Sequence, residues 1–588
     1  MATKTKQGGG SKARAAAEGN GSSGGNGSGL LAGPKGAASS GLDTMLTDAV
    51  RGPLRRLVPG RAGLKLAAKL TLRPDTVVTR GAQLAGELAK VTVGRSELAP
   101  AKGDRRFKDE AWSGNPAFRR LLQSYLAAGK AVDGLIGDAG LDWRSERQVR
   151  FAAENVLDAL SPSNAPALNP AVLKATLDTG GQNFVRGAVN FARDMSKPPR
   201  IPSMVDTSAF EVGGNIAVTP GAVVLRSPVF ELIQYKPQTS KVRARPLLVT
   251  PPMINKYYIA DLAPERSMIE YAVKHGQQTF AMSWRNPDER QSDWDLDTYA
   301  TAVLEALDAV EEITGAESTH VLGLCAGGIV LSTVVAHLAA KGEQDRIAGL
   351  TLGVTVLDQH NAGTTGAFMG QNMAAAATAD SARKGYLSGR SLAGVFAWLR
   401  PNDLIWNYWV SNYLMGKTPP AFDVLFWNAD TTNMPAALHR DFLALALDNS
   451  LVSPGAATVL GTPVDLSKIT VDSYVVAGIA DHITPWQNAY RTVNLLGSPP
   501  RFVLSTSGHI AALVNPPGNE KSSFRVNDEL PGKPEEWLGS ASQTPGTWWD
   551  DWQAWLEDRS GGKRAARKQL GGKGHRPLGE APGSYVKE

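Results

Sequence analysis

The spacing of apolar residues divides the chain into a helical part and a part in which strands alternate with helices. From about residue 43 to 200, apolar residues recur at three- and four-residue intervals. This spacing predicts helices over Pro116–Ala128, Ser145–Leu160 and Ala171–Arg193. From about residue 201, short apolar runs are separated by helical patterns such as Leu296–Thr314 and Gly328–Lys341. This alternation predicts that the second part is an α/β domain.

The short apolar runs predict the strands of one sheet. In chain order they are Ala222–Arg226, Phe230–Gln234, Pro246–Thr250, Gln278–Ser283, His320–Leu324, Gly349–Val354, Ser473–Gly478 and Arg501–Leu504. The first two runs suggest an antiparallel pair, and the alternation with helices that follows indicates a mostly parallel, doubly wound sheet. Arg501–Leu504 is interpreted as the last strand.

Two segments depart from these patterns. Residues 1–42 are rich in Gly, Ser, Ala and Lys and hold few large apolar side chains, which predicts a disordered tail. Residues from about 365 to 445 interrupt the strand–helix alternation and are rich in aromatic side chains, which favours a cap inserted over an active site, with additional core as the alternative. The aromatic residues are Phe396, Trp398, Trp406, Tyr408, Trp409, Tyr413, Phe422, Phe426 and Trp427. The expected division is a tail over 1–42, a helical domain over 43–200 and a catalytic domain over 201–588.

Composition excludes several classes of protein. The chain is 42% hydrophobic and 20% charged, which is typical of globular proteins. Its length of 588 residues is greater than one compact core usually holds. No apolar stretch is long enough to span a membrane and the N-terminal residues do not resemble a secretory signal, so we expect a cytoplasmic protein. The net charge of +6 is spread along the chain without a long basic run, which argues against nucleic-acid binding.

The chain has one cysteine, and its surroundings indicate a nucleophile. A single Cys excludes an internal disulfide or a Cys-based metal cluster, and no metal site is expected. Cys325 stands in the pattern Gly323-Leu324-Cys325-Ala326-Gly327, between a predicted strand and a predicted helix. This Gly-x-Cys-x-Gly pattern is a nucleophile elbow with Cys in place of Ser, and the helix N-terminus favours the thiolate. A small buried hydrophobe is the alternative for an isolated Cys.

An elbow nucleophile needs an acid and then a histidine further along the chain. Asp481 follows the predicted strand Ser473–Gly478, and His509 follows the predicted strand Arg501–Leu504. The carboxyl ends of parallel strands are where α/β sheets place their sites, so both residues are catalytic candidates. His482 is the rival base, but as the neighbour of Asp481 it is poorly placed to pair with it.

The oxyanion of an acyl-transfer intermediate needs backbone donors. In this fold one donor is the N–H after the nucleophile, here Ala326, and the other comes from the loop after the third predicted strand. That loop is Pro251–Tyr258, and we expect the N–H of Ile254 to be the second donor, although a purely structural proline-rich loop is the alternative. Asn255 in this loop and Trp427 in the aromatic segment are further candidates for substrate contact.

With these residues assembled, the chain resembles the polyhydroxyalkanoate synthases over nearly its whole length after the tail. The motifs that carry the resemblance are RFKDEAWSGNPAF at 106–118, TGGQNFVR at 179–186, PPMINKYY at 251–258, SWRNP at 283–287, FAWLRPNDLIWNYWV at 396–410, FWNADTT at 426–432, GIADHITPW at 478–486 and SGHIAALVNPPG at 507–518. The C-terminal Trp548-Trp549 and residues 579–586 look more like the single-subunit, medium-chain-length class II group.

The resemblance implies an α/β-hydrolase catalytic domain with a cap, behind a helical N-terminal domain. It implies a triad of Cys325, Asp481 and His509 that polymerises (R)-3-hydroxyacyl-CoA into a polyester and releases CoA, with no cofactor beyond the CoA of the substrate. It further implies a homodimer associated with polymer granules. The alternatives are a cysteine hydrolase or depolymerase of the same fold, and a non-catalytic granule-associated protein.

Overall fold

The sheet and helices are described from a computed structural model that covers residues 60–360, 371–572 and 574–588. The predicted tail over 1–42 lies outside these residues. The strands of the large sheet are β1 Gly221–Arg226, β2 Phe230–Tyr235, β3 Leu247–Thr250, β4 Thr279–Trp284, β5 Thr319–Leu324, β6 Ile347–Gly353, β7 Ser473–Gly478, β8 Arg501–Ser505, β9 Ser523–Val526, β10 Ser542–Pro545 and β11 Gly579–Glu580.

Helices cover both faces of this sheet and make up the region before it. Within the described residues they are α1 Gly60–Thr71, α2 Pro74–Thr92, α3 Ala111–Gly114, α4 Pro116–Asp138, α5 Trp143–Ala159, α6 Pro170–Thr179, α7 Gln182–Met195, α8 Met268–Lys274, α9 Leu296–Thr314, α10 Ala326–Lys341, α11 Gln371–Lys384, α12 Gly389–Leu399, α13 Asp423–Ala429, α14 Ala436–Leu447, α15 Trp486–Arg491, α16 His509–Leu513, α17 Pro534–Ser540 and α18 Trp548–Arg559.

The sheet has the spatial order β10-β9-β8-β7-β6-β5-β3-β4-β2-β1-β11. The six central strands β4, β3, β5, β6, β7 and β8 are parallel, and antiparallel strands extend both edges. Strands β3, β5 and β7 are buried along their whole length. Parallel strands read as continuous apolar runs because helices cover both of their faces, which is why they were visible in the sequence.

Alternation along the central strands sends side chains into two cores. Leu248 and Val475 belong to one buried cluster, whereas their neighbours Val249 and Val476 belong to the other. Successive strand residues point to opposite faces, so each cluster lies between the sheet and one helical layer. The mostly parallel α/β fold expected from the sequence is therefore confirmed.

Two expectations about secondary structure are wrong. Arg501–Leu504 is not the last strand, because β9, β10 and β11 follow it and pair along the sheet edges. The helical pattern over Ala171–Arg193 forms two helices rather than one. The chain is interrupted at Gly180 and Gly181, whose φ angles of +57° and +85° lie in the left-handed region that ends a helix.

The aromatic segment lies between β6 and β7, where the sequence placed it, and it contacts the N-terminal helices as well as the sheet. The ring of Phe191 on α7 lies 5.3 Å from that of Tyr413 and 6.3 Å from that of Trp409. Asn183 on the same helix donates to the carbonyl of Leu414 at 2.8 Å. The exact domain boundaries at residues 42 and 200 stay a prediction.

Candidate active site

Cys325 lies at the turn between β5 and α10. The strand ends at Leu324, the helix begins at Ala326, and Cys325 itself adopts φ +50° and ψ −119°. A positive φ is costly for a residue with a side chain, so the surroundings must hold the turn in place. The Cys325 N–H donates to the carbonyl of Gly353 on the neighbouring strand at 2.8 Å, and Thr355 Oγ1 donates to the Cys325 carbonyl at 3.3 Å.

Close backbone approach explains why small residues flank the cysteine. A Cβ on Gly323 would lie 2.5 Å from the Cα of Gly328, and one on Gly327 would lie 2.5 Å from the carbonyl oxygens of Thr250 and Pro251. The second contact joins the start of α10 to the end of β3, from which the Pro251–Tyr258 loop departs. The elbow and that loop therefore have a fixed relation to each other.

Asp481 follows β7 and His509 follows β8. These strands are parallel to each other and to β5, so both residues lie at the carboxyl ends of the strands, as Cys325 does. Asp481 Oδ1 accepts hydrogen bonds from the N–H groups of Ile483 at 2.8 Å and Thr484 at 2.9 Å. Its other oxygen, Oδ2, lies 2.7 Å from His509 Nδ1. The acid expected from the sequence therefore pairs with the base expected from the sequence.

Thr484 is hydrogen-bonded to this pair, although it is not among the residues predicted from the sequence. Thr484 Oγ1 donates to Asp481 Oδ2 at 2.7 Å and lies 3.1 Å from His509 Nδ1. The hydroxyl helps to hold the carboxylate in the orientation in which it faces the imidazole. Burial opposes ionisation of Asp481, but the attraction of His509 and the hydrogen bonds from His509 and Thr484 outweigh it, so the pKa of Asp481 is lowered.

His509 lies 2.7 Å from Asp481 and lines the same pocket as Cys325. Burial opposes a charged imidazole, but the attraction of Asp481, its hydrogen bond and a further hydrogen bond with the Cys325 thiol together raise the pKa of His509. With Nδ1 occupied by Asp481, the other ring nitrogen is the one available to the thiol. The three predicted catalytic side chains are thus brought together by the fold in the order nucleophile, base and acid.

His482, the rival base, has different surroundings. Its side chain is half-buried, and desolvation of the ring lowers its pKa to about 3. The Asp481 oxygens are already occupied by His509, Thr484 and the backbone, as described above. His509, and not its rival, is therefore the histidine that the geometry pairs with Asp481.

A small pocket opens at Cys325, whose own exposure is 8%. Cys325 and His509 line it, together with the expected oxyanion donor Ile254 and the expected substrate contacts Asn255 and Trp427. Ile483 and Leu513 also line it. Trp427 Nε1 donates to the carbonyl of Lys256 at 2.7 Å, so the aromatic segment is docked on the Pro251–Tyr258 loop. The side chains of Ile254, Ile483, Leu513 and Trp427 make much of the lining apolar.

The two expected oxyanion donors lie beside this pocket. Ala326 begins α10, where the first N–H groups have no partner within the helix, and Ile254 lines the pocket directly. Across the described backbone, neither N–H is used in a turn or loop hydrogen bond. His482 does not line the pocket, whereas Asn255 and Trp427 do.

The described residues offer neither a metal site nor a membrane-spanning helix. Residues 60–360, 371–572 and 574–588 hold no group of three or more His, Cys, Asp or Glu side chains suited to a metal ion. None of the helices in these same ranges combines the length and the apolar character needed to span a bilayer.

The fold and the arrangement of the three side chains define a class: an α/β-hydrolase-fold protein with a cysteine in the strand-to-helix turn of the elbow. Comparison with protein families agrees on the fold, since residues 258–516 match the model described as alpha/beta hydrolase fold. Residues 103–272 match a second model, described as the N-terminus of poly-beta-hydroxybutyrate polymerase (PhaC).

Whole-chain comparison identifies the family. The chain is 46% identical over 503 residues to poly(3-hydroxyalkanoate) polymerase 2 of Ectopseudomonas oleovorans, covering 86% of this chain and 90% of that protein. Polymerase 1 of the same organism is also 46% identical, covering 85% of this chain and 89% of its own length. The polymerase subunit PhaC of Cupriavidus necator is 43% identical, covering 84% and 85%. The chain belongs to the poly(3-hydroxyalkanoate) polymerase family, which confirms the resemblance drawn from the motifs. The slightly higher identity to the Ectopseudomonas proteins fits the expected closeness to class II.

Proposed function

We propose that the chain polymerises (R)-3-hydroxyacyl groups from CoA thioesters through an acyl-enzyme on Cys325. The observation that carries this proposal is that Cys325 and His509 line one pocket while His509 Nδ1 lies 2.7 Å from Asp481 Oδ2, in a chain of the polymerase family. A poly(3-hydroxyalkanoate) polymerase is an acyltransferase, and a thiol activated by a buried histidine is a nucleophile suited to acyl transfer.

In the first half of the reaction, His509 takes the proton of the Cys325 thiol. The thiolate attacks the thioester carbonyl of the substrate and forms a tetrahedral oxyanion. The N–H groups of Ala326 and Ile254 stabilise this oxyanion. When it collapses, the bond to the CoA sulfur breaks, His509 returns the proton to that sulfur, and free CoA leaves. The acyl group then remains on Cys325 as a thioester.

In the second half, the acyl group moves from sulfur to oxygen. His509 removes the proton from the 3-hydroxyl group of an acceptor, either another substrate or the end of the growing chain. The alkoxide attacks the acyl-Cys325 thioester, an ester bond forms, and the Cys325 thiolate leaves. Asp481 stabilises the charged imidazole in both halves. This chemistry uses only the side chains and N–H groups at the site, so we propose that no cofactor other than the CoA of the substrate takes part.

The single cysteine constrains how the polyester elongates. A chain that holds one thiol cannot pass the polymer between two of its own cysteines. We therefore propose that a second thiol, where one is needed, comes from a second copy of the chain in a homodimer. Otherwise the 3-hydroxyl of an acyl-CoA takes the acyl group from Cys325, and the elongated intermediate leaves the thiol as a CoA ester. The product is an insoluble polyester, and we propose that the protein works at the surface of its granules.

The site must favour a hydroxyl acceptor over water. Cys325 is 8% exposed and the pocket at it is lined largely by apolar side chains. An apolar lining lowers the local concentration of water and protects a thioester from hydrolysis. This property favours a polymerase over a cysteine hydrolase of the same fold.

The test is to incubate the pure protein with (R)-3-hydroxybutyryl-CoA and, separately, (R)-3-hydroxyoctanoyl-CoA. We expect release of CoA together with an insoluble polyester, and no release from the Cys325→Ala variant, which serves as the matched control. Stoichiometric free hydroxy acid without polymer would instead show a hydrolase. Comparison of the two substrates also decides the preferred acyl length.

A further inference from the structure

Lys256 is a buried lysine next to the active site for which the mechanism above has no use. It belongs to the Pro251–Tyr258 loop, two residues after the oxyanion donor Ile254, and it is only 3% exposed. Burial lowers the pKa of Lys256, with opposing contributions from Asp430 and Glu588. Burying a lysine costs free energy unless hydrogen-bond acceptors surround its amino group, so acceptors are expected close to Lys256 Nζ.

The partners of Lys256 belong to the C-terminal segment. Its Nζ donates to the main-chain oxygen of Glu588 at 2.6 Å and lies 3.5 Å from the carbonyl oxygen of Tyr585. The side chain therefore connects the Pro251–Tyr258 loop, which we call the oxyanion loop, to residues 584–588, which we call the C-terminal anchor. The family-like motif over 579–586 otherwise takes no part in the proposed reaction.

The C-terminal anchor is held in place without Lys256. The fully buried carboxylate of Glu231 on β2 accepts hydrogen bonds from the N–H groups of Ser584 at 2.8 Å and Tyr585 at 2.9 Å. Tyr585 also donates its hydroxyl to the carbonyl of Ser227 at 2.8 Å, and Arg285 lies over its ring, with its guanidinium carbon 4.0 Å from the ring centroid. Because the anchor is fixed to the sheet by these contacts, the Lys256 bond acts mainly on the loop.

The oxyanion loop is also held by contacts that do not involve the amino group of Lys256. Trp284 Nε1 donates to the carbonyl of Pro251 at 2.9 Å, at the start of the loop. Trp427 and Asp430 of the aromatic segment bind the Lys256 carbonyl and the Tyr258 hydroxyl, both at 2.7 Å. The aromatic segment thus binds the backbone of Lys256, while the amino group of Lys256 binds the C-terminal anchor, so the loop that carries Ile254 is held from both.

We propose that Lys256 is a positioning residue that sets the N–H of Ile254 for the oxyanion by binding the loop to the C-terminal anchor. The inference rests on the proposed function, because it assigns Lys256 to the acyl-transfer step of that same site. Lys256 does not contact the reacting atoms. Its loss should leave Cys325, His509 and Asp481 unchanged, while the donor moves away from the position where negative charge develops.

The decisive variant is Lys256→Met, which keeps the apolar stem and removes the amino group, compared with Lys256→Arg, which keeps a donor. The matched control is Lys587→Met, which removes an exposed lysine charge from the same C-terminal anchor. We measure kcat and KM by CoA release, the rate of Cys325 alkylation by iodoacetamide as a function of pH, and the melting temperature. Alkylation reports the thiol and its base but needs no oxyanion donor, so it separates the two parts of the site.

For Lys256→Met we expect kcat to fall about 10- to 100-fold with KM within about twofold, because loss of an oxyanion donor costs roughly 10²–10³-fold and this donor is displaced rather than deleted. The alkylation rate and its pH profile should stay at the wild-type values. Lys256→Arg should recover most of kcat, and Lys587→Met should behave as wild type. Unchanged kcat in Lys256→Met would overturn the inference. A parallel fall of alkylation and kcat would also overturn it, because the residue would then act on the thiol.

A variant that ends at Val586 gives an independent arm, which also decides the matter should Lys256→Met not fold. It removes Glu588, the closer partner of Lys256, and keeps Tyr585 and the other residues bound by Glu231, so its kcat should fall by at most as much as in Lys256→Met. Combining the two changes should cause no loss beyond that of Lys256→Met. Wild-type kcat in the shortened variant, or a multiplicative loss in the combination, would refute the link. Failure of the wild-type protein to release CoA would refute the proposed function instead, so the two failures are distinguishable.

Discussion

The close contact between α10 and the end of β3 predicts that Gly327→Ala damages both the stability and the activity of the protein. A Cβ at this position would lie 2.5 Å from two backbone carbonyl oxygens, well inside the 3.0 Å below which such contacts are essentially not found. The neighbours are backbone atoms of Thr250 and Pro251, so they cannot yield by a change of rotamer. Either the helix start or the loop start must move.

The size of the effect follows from this overlap. An extra methyl group in a packed region that must shift backbone costs about 1–3 kcal/mol. The displaced atoms lie at the start of the Pro251–Tyr258 loop, and a misplacement of about 1 Å at a reacting centre can cost roughly 10²-fold in rate. The control is Gly86→Ala inside α2, where nothing lies within 4 Å of an added Cβ. There alanine should stabilise the helix by about 0.5–1 kcal/mol.

The assay is a pair of measurements on each variant: the melting temperature and the rate of CoA release. We expect Gly327→Ala to melt at a lower temperature than wild type and to lose at least about 10-fold in kcat. Gly86→Ala should melt at the same or a higher temperature and keep full activity. A Gly327→Ala protein as stable and as active as wild type would refute the claim that this approach fixes the elbow against the loop.

Three further predictions concern the residues around Cys325. His509→Ala should lower kcat/KM by at least about 10²-fold, and His482→Ala should keep most of it; the reverse result would exchange their roles. Thr484→Val, which removes the donor to Asp481, should lower kcat/KM about 10-fold with recovery in Thr484→Ser, and no loss in the valine variant would show that the hydroxyl is dispensable. The pKa of His509 is raised to about 10 and the pKa of Asp481 is lowered. Their attraction therefore stabilises the folded state in full near pH 6. This stabilisation is lost as the pH rises from 6.5 towards 10, and it is lost again as the pH falls below 3.8, the ordinary pKa of Asp. The melting-temperature difference between wild type and Asp481→Asn should therefore shrink from about pH 6 to pH 10, and a constant difference would contradict the pairing.

The sequence predicted the centre of the molecule well and its edges poorly. The strand before Cys325 and the helix Leu296–Thr314 were visible because buried parallel strands are continuously apolar and long helices keep their period. Strand β10 was missed because it is mostly exposed and polar, and β11 because two exposed residues carry no pattern. Such edge strands are defined by hydrogen bonds to the neighbouring strand, which a local pattern does not record.

The same distinction applies to the active site. Cys325, Asp481 and His509 were predictable because each follows a strand and the fold places strand ends together. Thr484 carried one signal, its place three residues after Asp481 in the turn that the carboxylate caps. Lys256 carried none, because its partner at Glu588 is 332 residues away along the chain. Contacts of that kind follow only from the assembled sheet.

The most direct test of the account is to locate the acyl group. Wild-type protein is mixed with (R)-3-hydroxybutyryl-CoA, quenched in acid to preserve thioesters, digested and analysed by mass spectrometry, with Cys325→Ala treated in parallel. We predict a hydroxybutyryl group, or a short chain of them, on the peptide that contains Cys325, and no acylated peptide in the variant. An acyl group on another residue, or CoA release by Cys325→Ala at the wild-type rate, would contradict the assignment of Cys325 as the nucleophile.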